Sequence, residues 1–143
     1  MKRRIHKVTV MNARYTSPGL ARQLAEAGLE QWLDGTMHYW LDGSLHRMRE
    51  GFGGVDPDVV RALDLTDILA ELTRPRPEEA DARPLCDAVS VDLCNSTTVD
   101  HPFTSMARAF DHEENEMASV ETGSPVEAAA LVLLALLRER RKP

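Results

Sequence analysis

The chain has 143 residues, a length that suits one domain with a real core. Its 43% hydrophobic and 28% charged content excludes a disordered chain, and the stretch Val126 to Leu137, only 12 residues long and interrupted by Glu127, is short of the roughly 20 that a membrane-spanning helix needs. The net charge of −6 is unevenly placed: residues 1–15 carry five basic and no acidic side chains, the last six carry four basic and one acidic, and residues 16–137 hold a net of −14.

An acidic body of this kind repels nucleic acid, whereas basic ends attract it. Solvated, frayed termini also collect Lys and Arg, so both readings of the ends stand. Two cysteines, Cys86 and Cys94, are too few for a disulfide framework. Met1-Lys2-Arg3-Arg4 is followed by no apolar signal core. The expected location is the cytoplasm, with no membrane partner.

Residues 1–10 read as a basic N-terminal extension or an edge strand, and 11–143 as a single α+β domain. Ser17-Pro18 opens a helix whose face is Leu20, Leu24 and Ala27, stopped by Gly28. Thr36 to Leu41 is rich in strand formers, and Asp42-Gly43 marks a hairpin returning through Ser44 to Arg49. Gly51-Phe52-Gly53-Gly54 is a break, without the Lys-Ser/Thr ending of a phosphate loop. Asp56-Pro57 is expected to open a short helical turn through Val59 and Val60.

A compact helix follows over 63–72, capped by Asp64 or Thr66, with Leu65, Ile68, Leu69 and Leu72 as its buried stripe. Residues 74–81 read as a polar, Pro-rich loop. Val89, Val91 and Leu93 alternate with Ser90, Asp92 and Cys94, the pattern of a half-buried antiparallel strand. After a polar loop over 95–102, Phe103 to Phe110 fits either a strand or a short helix. Asp111 to Glu116 is an acidic turn, and Met117 to Val120 fits a final strand.

Ser124-Pro125-Val126-Glu127 is a capping box with proline in the first turn. The helix it opens is apolar nearly all round, which suits a central core element with a second face toward a partner, a homodimer included. The expected fold is therefore α+β: a small antiparallel sheet packed on an opening helix, a short central helix and a long C-terminal helix.

Three landmarks carry a resemblance. They are Thr16-Ser17-Pro18-Gly19-Leu20-Ala21-Arg22-Gln23-Leu24 with Gly28 and Gln31, then Tyr39-Trp40 followed by Leu65-Thr66-Asp67-Ile68-Leu69-Ala70-Glu71-Leu72, and Ser124-Pro125-Val126-Glu127-Ala128-Ala129-Ala130 running into Leu133-Leu134 and Leu137. In this order they resemble a family of small uncharacterised accessory proteins of phages and prophages. The resemblance covers about half the chain and departs over 74–123. It implies a phage or prophage setting and a compact α+β fold, and it carries no known chemistry.

Candidates for chemistry are few. Cys86, Cys94, His101 and His112 offer zinc two thiols and two imidazoles, but at a Cys-x7-Cys-x6-His-x10-His spacing, where structural sites hold cysteines two to four apart. Buried, small-hydrophobe cysteine is the alternative role. His38 and His46 flank the Asp42-Gly43 turn and are expected nearly opposite one another; with Asp34 or Asp42 they form a candidate acid/base pair, against a plain surface pair. No Gly-x-Ser-x-Gly elbow occurs. The run Asp111 to Glu121, with five acidic and no basic residues, is a candidate mimic of DNA phosphates or a solvated loop. Trp32, Tyr39, Trp40 and Phe52 cluster in a chain that is 5% aromatic, either as a core that anchors the first helix to the hairpin or as a binding hot spot.

No cofactor is expected. These features favour a non-enzymatic accessory protein that binds a host or phage protein, a component of host defence among the candidates. The alternatives are a nucleic-acid binder that uses the basic termini and a small zinc protein.

Overall fold

The computed structural model describes residues 14–31, 38–47, 59–77, 79, 81–95 and 103–142. Among them the chain forms helices α1 (Pro18–Glu26), α2 (Leu65–Thr73) and α3 (Pro125–Arg141), and strands β1 (His38–Leu41), β2 (Ser44–Arg47), β3 (Val59–Ala62), β4 (Ala88–Asn95), β5 (Phe103–Phe110) and β6 (Glu116–Thr122). The class is α+β, with the strands divided between two antiparallel sheets of order β2-β1-β3 and β4-β5-β6. The expected extension over 1–10, the Gly51–Gly54 break and the loop over 96–102 lie outside the described residues.

Each helix begins where its cap dictates. The Leu20 amide donates to Ser17 Oγ at 3.2 Å, with Pro18 behind it in the first turn. Asp64 and Asp67 cap α2 reciprocally, the Asp67 amide donating to Asp64 Oδ1 at 2.8 Å and the Asp64 amide to Asp67 Oδ2 at 3.3 Å. Burial pushes the Asp67 carboxyl above the usual range. The Glu127 amide donates to Ser124 Oγ at 3.4 Å to start α3. Gly28 ends α1's turn at φ +104°, a region open to glycine.

Asp42 at φ 52° and Gly43 at φ 77° form the left-handed two-residue turn that matches strand twist, pairing Leu41 with Ser44 and His38 with Arg47. The other edge of β1 pairs with β3, from Leu41 opposite Val59 to His38 opposite Ala62. Val59 and Val60 are thus strand, not the helical turn expected after Asp56-Pro57. Both are β-branched, and all four residues of β3 are buried, which favours the extended chain. Gln31 covers the outer edge of β3 by accepting the Arg61 amide at 2.9 Å.

Helix α3 is the central element. It lies on one face of β4-β5-β6, with α1 and α2 against its other sides. Ala107 and Ala109 on β5 share one core with Ala128, Ala129, Ala130, Val132 and Leu133 of α3, all fully buried. Small side chains on both partners bring helix and sheet close and leave no slack for volume. Leu24, Ile68 and Leu72 complete the core from α1 and α2. Most of the apolar girth of α3 is buried within the chain, with Leu131 half-buried and Ala135 exposed.

The stretch 74–81 is more than the polar loop its composition suggests, because Arg76 is only 1% exposed. Arg76 Nη2 donates to the Glu71 carbonyl at 2.7 Å and its carboxylate at 3.2 Å. The other Glu71 oxygen takes Arg61 Nη1 at 3.1 Å, and Arg74 Nε adds a contact at 3.2 Å. Glu71 and Arg61 are each 3% exposed, so this carboxylate is the counter-charge for two buried guanidiniums. Arg76 Nη1 continues to Glu79 at 3.3 Å, and Glu79 to Arg140 Nη1 at 3.4 Å.

Two substitutions test this core. Glu71→Ala removes the carboxylate that buried Arg61 and Arg76 share and is expected to lower unfolding free energy by about 3–5 kcal/mol in urea denaturation; an effect below about 1 kcal/mol contradicts the pairing described. Ala109→Leu forces a branched side chain between β5 and α3 and is expected to cost about 1–3 kcal/mol by the same measurement.

Candidate interaction face

Alternation along β5 separates the two faces of its sheet. Ser105, Ala107 and Ala109 are buried toward α3, and Thr104, Met106, Arg108 and Phe110 are half-buried on the outer side. The register assembles the outer face into rows. Met106 lies between Asp92 and Glu121, Arg108 between Ser90 and Ser119, and Phe110 between Ala88 and Glu116.

A bulge at Ala109/Phe110 leaves Met117 as the extra residue of β6, 45% exposed. Arg108 Nε donates to Met106 Sδ at 3.2 Å, so its stem and guanidinium lie along the methionine. The Thr104 hydroxyl donates to the Glu121 carboxylate. Met106, Phe110, Met117 and the Arg108 stem make an apolar centre, with Asp92, Glu116 and Glu121 at its rim.

The aromatic candidates separate. Trp40 Nε1 donates to the Thr16 carbonyl at 2.8 Å, which ties the hairpin to the approach of α1. Tyr39, next along the strand and hence on the opposite face, stacks on His46 with ring centroids 5.3 Å apart. The two do not form one patch, and Trp32 and Phe52 lie outside the described residues.

His38 and His46 are not opposite one another. The turn takes both Asp42 and Gly43, so His38 faces Arg47 and His46 faces Tyr39. One step of register puts the two rings on opposite faces, which removes the acid/base pair. Asp34 lies outside the described residues. His38 instead meets Tyr15, ring centroids 4.7 Å apart.

Cys86 and Cys94 stand at opposite ends of β4. Asp87 donates its amide to the Phe110 carbonyl at one end, and Cys94 pairs with Thr104 at the other. Six strand steps from Ala88 to Cys94 span roughly 20 Å, too far for one ion. His112 is in the exposed turn after β5, and His101 lies outside the described residues. No group of three ligating side chains occurs among the described residues. Cys86 is buried, with Sγ 3.5 Å from the Leu72 carbonyl. Burial, then the Asp87 charge, pushes its thiol up to about 11.

The acidic run after β5 is a built turn. Asp111 Oδ1 accepts the Glu113 and Asn115 amides at 2.9 Å each. These bonds, that from Asn115 foremost, hold the Asp111 carboxyl below its usual range. Glu113 and Glu114 are left exposed.

The basic end of α3 is largely occupied. Arg140 donates to the Arg83 carbonyl at 2.8 Å and the Pro84 carbonyl at 2.9 Å, Arg141 donates to the Glu26 carbonyl, and Lys142 pairs with Glu139 at 3.0 Å. Beside them, Arg83 hydrogen bonds hold the Asp81 carboxyl well below the carboxylate range.

The outer face was not legible in advance, because a strand over 103–110 sets Arg108 on the same face as Met106 and Phe110, whereas a helix sets it on the opposite one. The alternation of Ala107 and Ala109 with larger residues was the available signal. No helix among the described residues is long and apolar enough to cross a membrane. In comparison with known proteins, the chain matches no family model, no curated protein and no solved structure.

The Cys86 environment has a pH signature. The unfolded thiol ionises near about 8.5, and the folded one near 11. Above pH 9 the unfolded state binds fewer protons than the folded one, so stability is expected to fall from about pH 9 and level off beyond 11. Urea denaturation across this range checks it, with Cys86→Ala lacking that component of the decline. In a Cys94→Ser background, iodoacetamide is expected to reach Cys86 at least about tenfold more slowly in buffer than in urea.

Proposed function

We propose that this chain is a small accessory protein of the phage or prophage type, working without catalysis by binding another protein through the outer face of β4-β5-β6. One observation carries the reading: Met106, Arg108, Phe110 and Met117 share that face with a polar rim. Methionine, aromatic residues and arginine are the types enriched at the centres of protein interfaces, and rims are polar. The phage setting rests on the resemblance of the opening helix, the Tyr39-Trp40 pair and the closing helix. That setting makes a host protein, including a component of host defence, the expected partner.

The nucleic-acid alternative loses support at the C-terminal end, where Arg140 and Arg141 are engaged with carbonyls of the chain's own backbone. The zinc alternative loses it through the separation of Cys86 from Cys94 along β4.

An untagged pulldown from host lysate at low and moderate salt, read by mass spectrometry, tests the proposal. The expected result is one protein retained at moderate salt by the native chain and lost by Met106→Ser/Met117→Ser. Recovery of nucleic acid alone, released as salt rises, would replace this reading with the second one.

A further inference from the structure

We propose that the occupant of the β4-β5-β6 outer face is a cationic, apolar segment of another protein, one that sets Lys or Arg beside an aliphatic or aromatic anchor. This inference rests on the protein-binding reading above and adds the chemistry of the partner. Three of the charged side chains in the rows of the face are carboxylates, Asp92, Glu116 and Glu121, and one is a guanidinium, Arg108. Among the described residues neither Asp92 nor Glu116 has an ion-pair partner, and Glu121 has only the Thr104 hydroxyl. Arg108 lies on Met106 rather than on any of them.

The arrangement is specific. Asp92 and Glu121 flank Met106 from the two neighbouring strands, so each carboxylate is about 5 Å from the methionine row and roughly 10 Å from the other. Glu116 and Met117 together face Phe110 across the bulge. The face thus presents two apolar anchor points, each bordered by uncompensated negative charge. A segment that fills the apolar centre brings its own flanking groups against these carboxylates. Cations there gain in a partly desolvated setting, and anions are repelled.

The same charges exclude two other occupants. A second copy of this chain would bring three carboxylates against one guanidinium from each side, in a protein of net charge −6, which is a net repulsion. Nucleic acid would meet the like repulsion. The apolar centre excludes a purely electrostatic ligand, because Met106, Phe110 and Met117 offer a polycation nothing but desolvation cost.

The test uses the full chain and fluorescence anisotropy with three labelled synthetic peptides of equal length: alternating Lys-Leu, alternating Glu-Leu and alternating Lys-Ser. Lys-Leu is expected to bind, Lys-Ser at least about tenfold more weakly, and Glu-Leu not measurably. Asp92→Asn/Glu116→Gln/Glu121→Gln is expected to weaken Lys-Leu about tenfold or more and to flatten its salt dependence. Met106→Ser/Met117→Ser is expected to weaken it comparably while circular dichroism and urea midpoint stay near native, since both side chains are partly exposed.

The proposal is overturned if Lys-Leu does not bind, if Glu-Leu binds equally, or if the triple charge variant binds undiminished. It is overturned as well if sedimentation shows a dimer that Met117→Ser dissociates. The lysate pulldown separates this failure from failure of the wider reading. Capture lost by the serine pair but kept by the charge variant retains the protein-binding face and removes its cationic partner. Capture kept by both variants removes the face itself.

Discussion

The structure depends on one buried carboxylate. Glu71 of α2 neutralises Arg61 from β3 and Arg76 from the following loop, and takes a third contact from Arg74. Charges removed from water are tolerable when paired and hydrogen-bonded, and a single missing partner leaves the rest exposed to the full desolvation penalty. From Arg76 the chain of charges runs through Glu79 to Arg140 of α3. Arg140 then fixes the Arg83 and Pro84 carbonyls just ahead of β4. One ionic path thus links the first sheet, two helices and the entry to the second sheet.

That path was hidden from a reading of the sequence. Arg74-Pro75-Arg76-Pro77-Glu78-Glu79 has the composition of a solvated loop, and nothing local distinguishes Arg76 from its exposed neighbours. Its burial is set by Glu71 and by the chain returning over it. Features written in consecutive residues were legible: the Ser17, Asp64 and Ser124 caps, the Asp42-Gly43 turn and the apolar girth of α3. Those needing a partner were not. Val59-Val60 became strand through pairing with β1, and the two histidines were misplaced by one residue of register. Residues 103–110 resolved as β5 once Ala107 and Ala109 had α3 to pack against.

The candidate face follows from the same asymmetry. Packing on α3 spends the small residues of β5 and leaves the larger ones on the other side. A sheet one layer deep on each side would be covered twice; here α3 supplies one layer, and the described residues of β5 and β6 present methionine, phenylalanine and arginine opposite it. Acidic composition sharpens the selectivity of such a surface. Arg140 and Arg141, at the C-terminal end of α3, are committed to backbone carbonyls on the other side of that sheet.

The placement of α3 also bears on how the chain acquires its structure. Every element that α3 covers, from α1 to β6, precedes it in sequence. During synthesis these surfaces emerge first and wait uncovered, since the segment that seals them is translated after all of them. Their apolar sides are therefore open to chaperones or to aggregation until Arg140 and Arg141 have left the ribosome. Completion of this core therefore waits on the synthesis of α3.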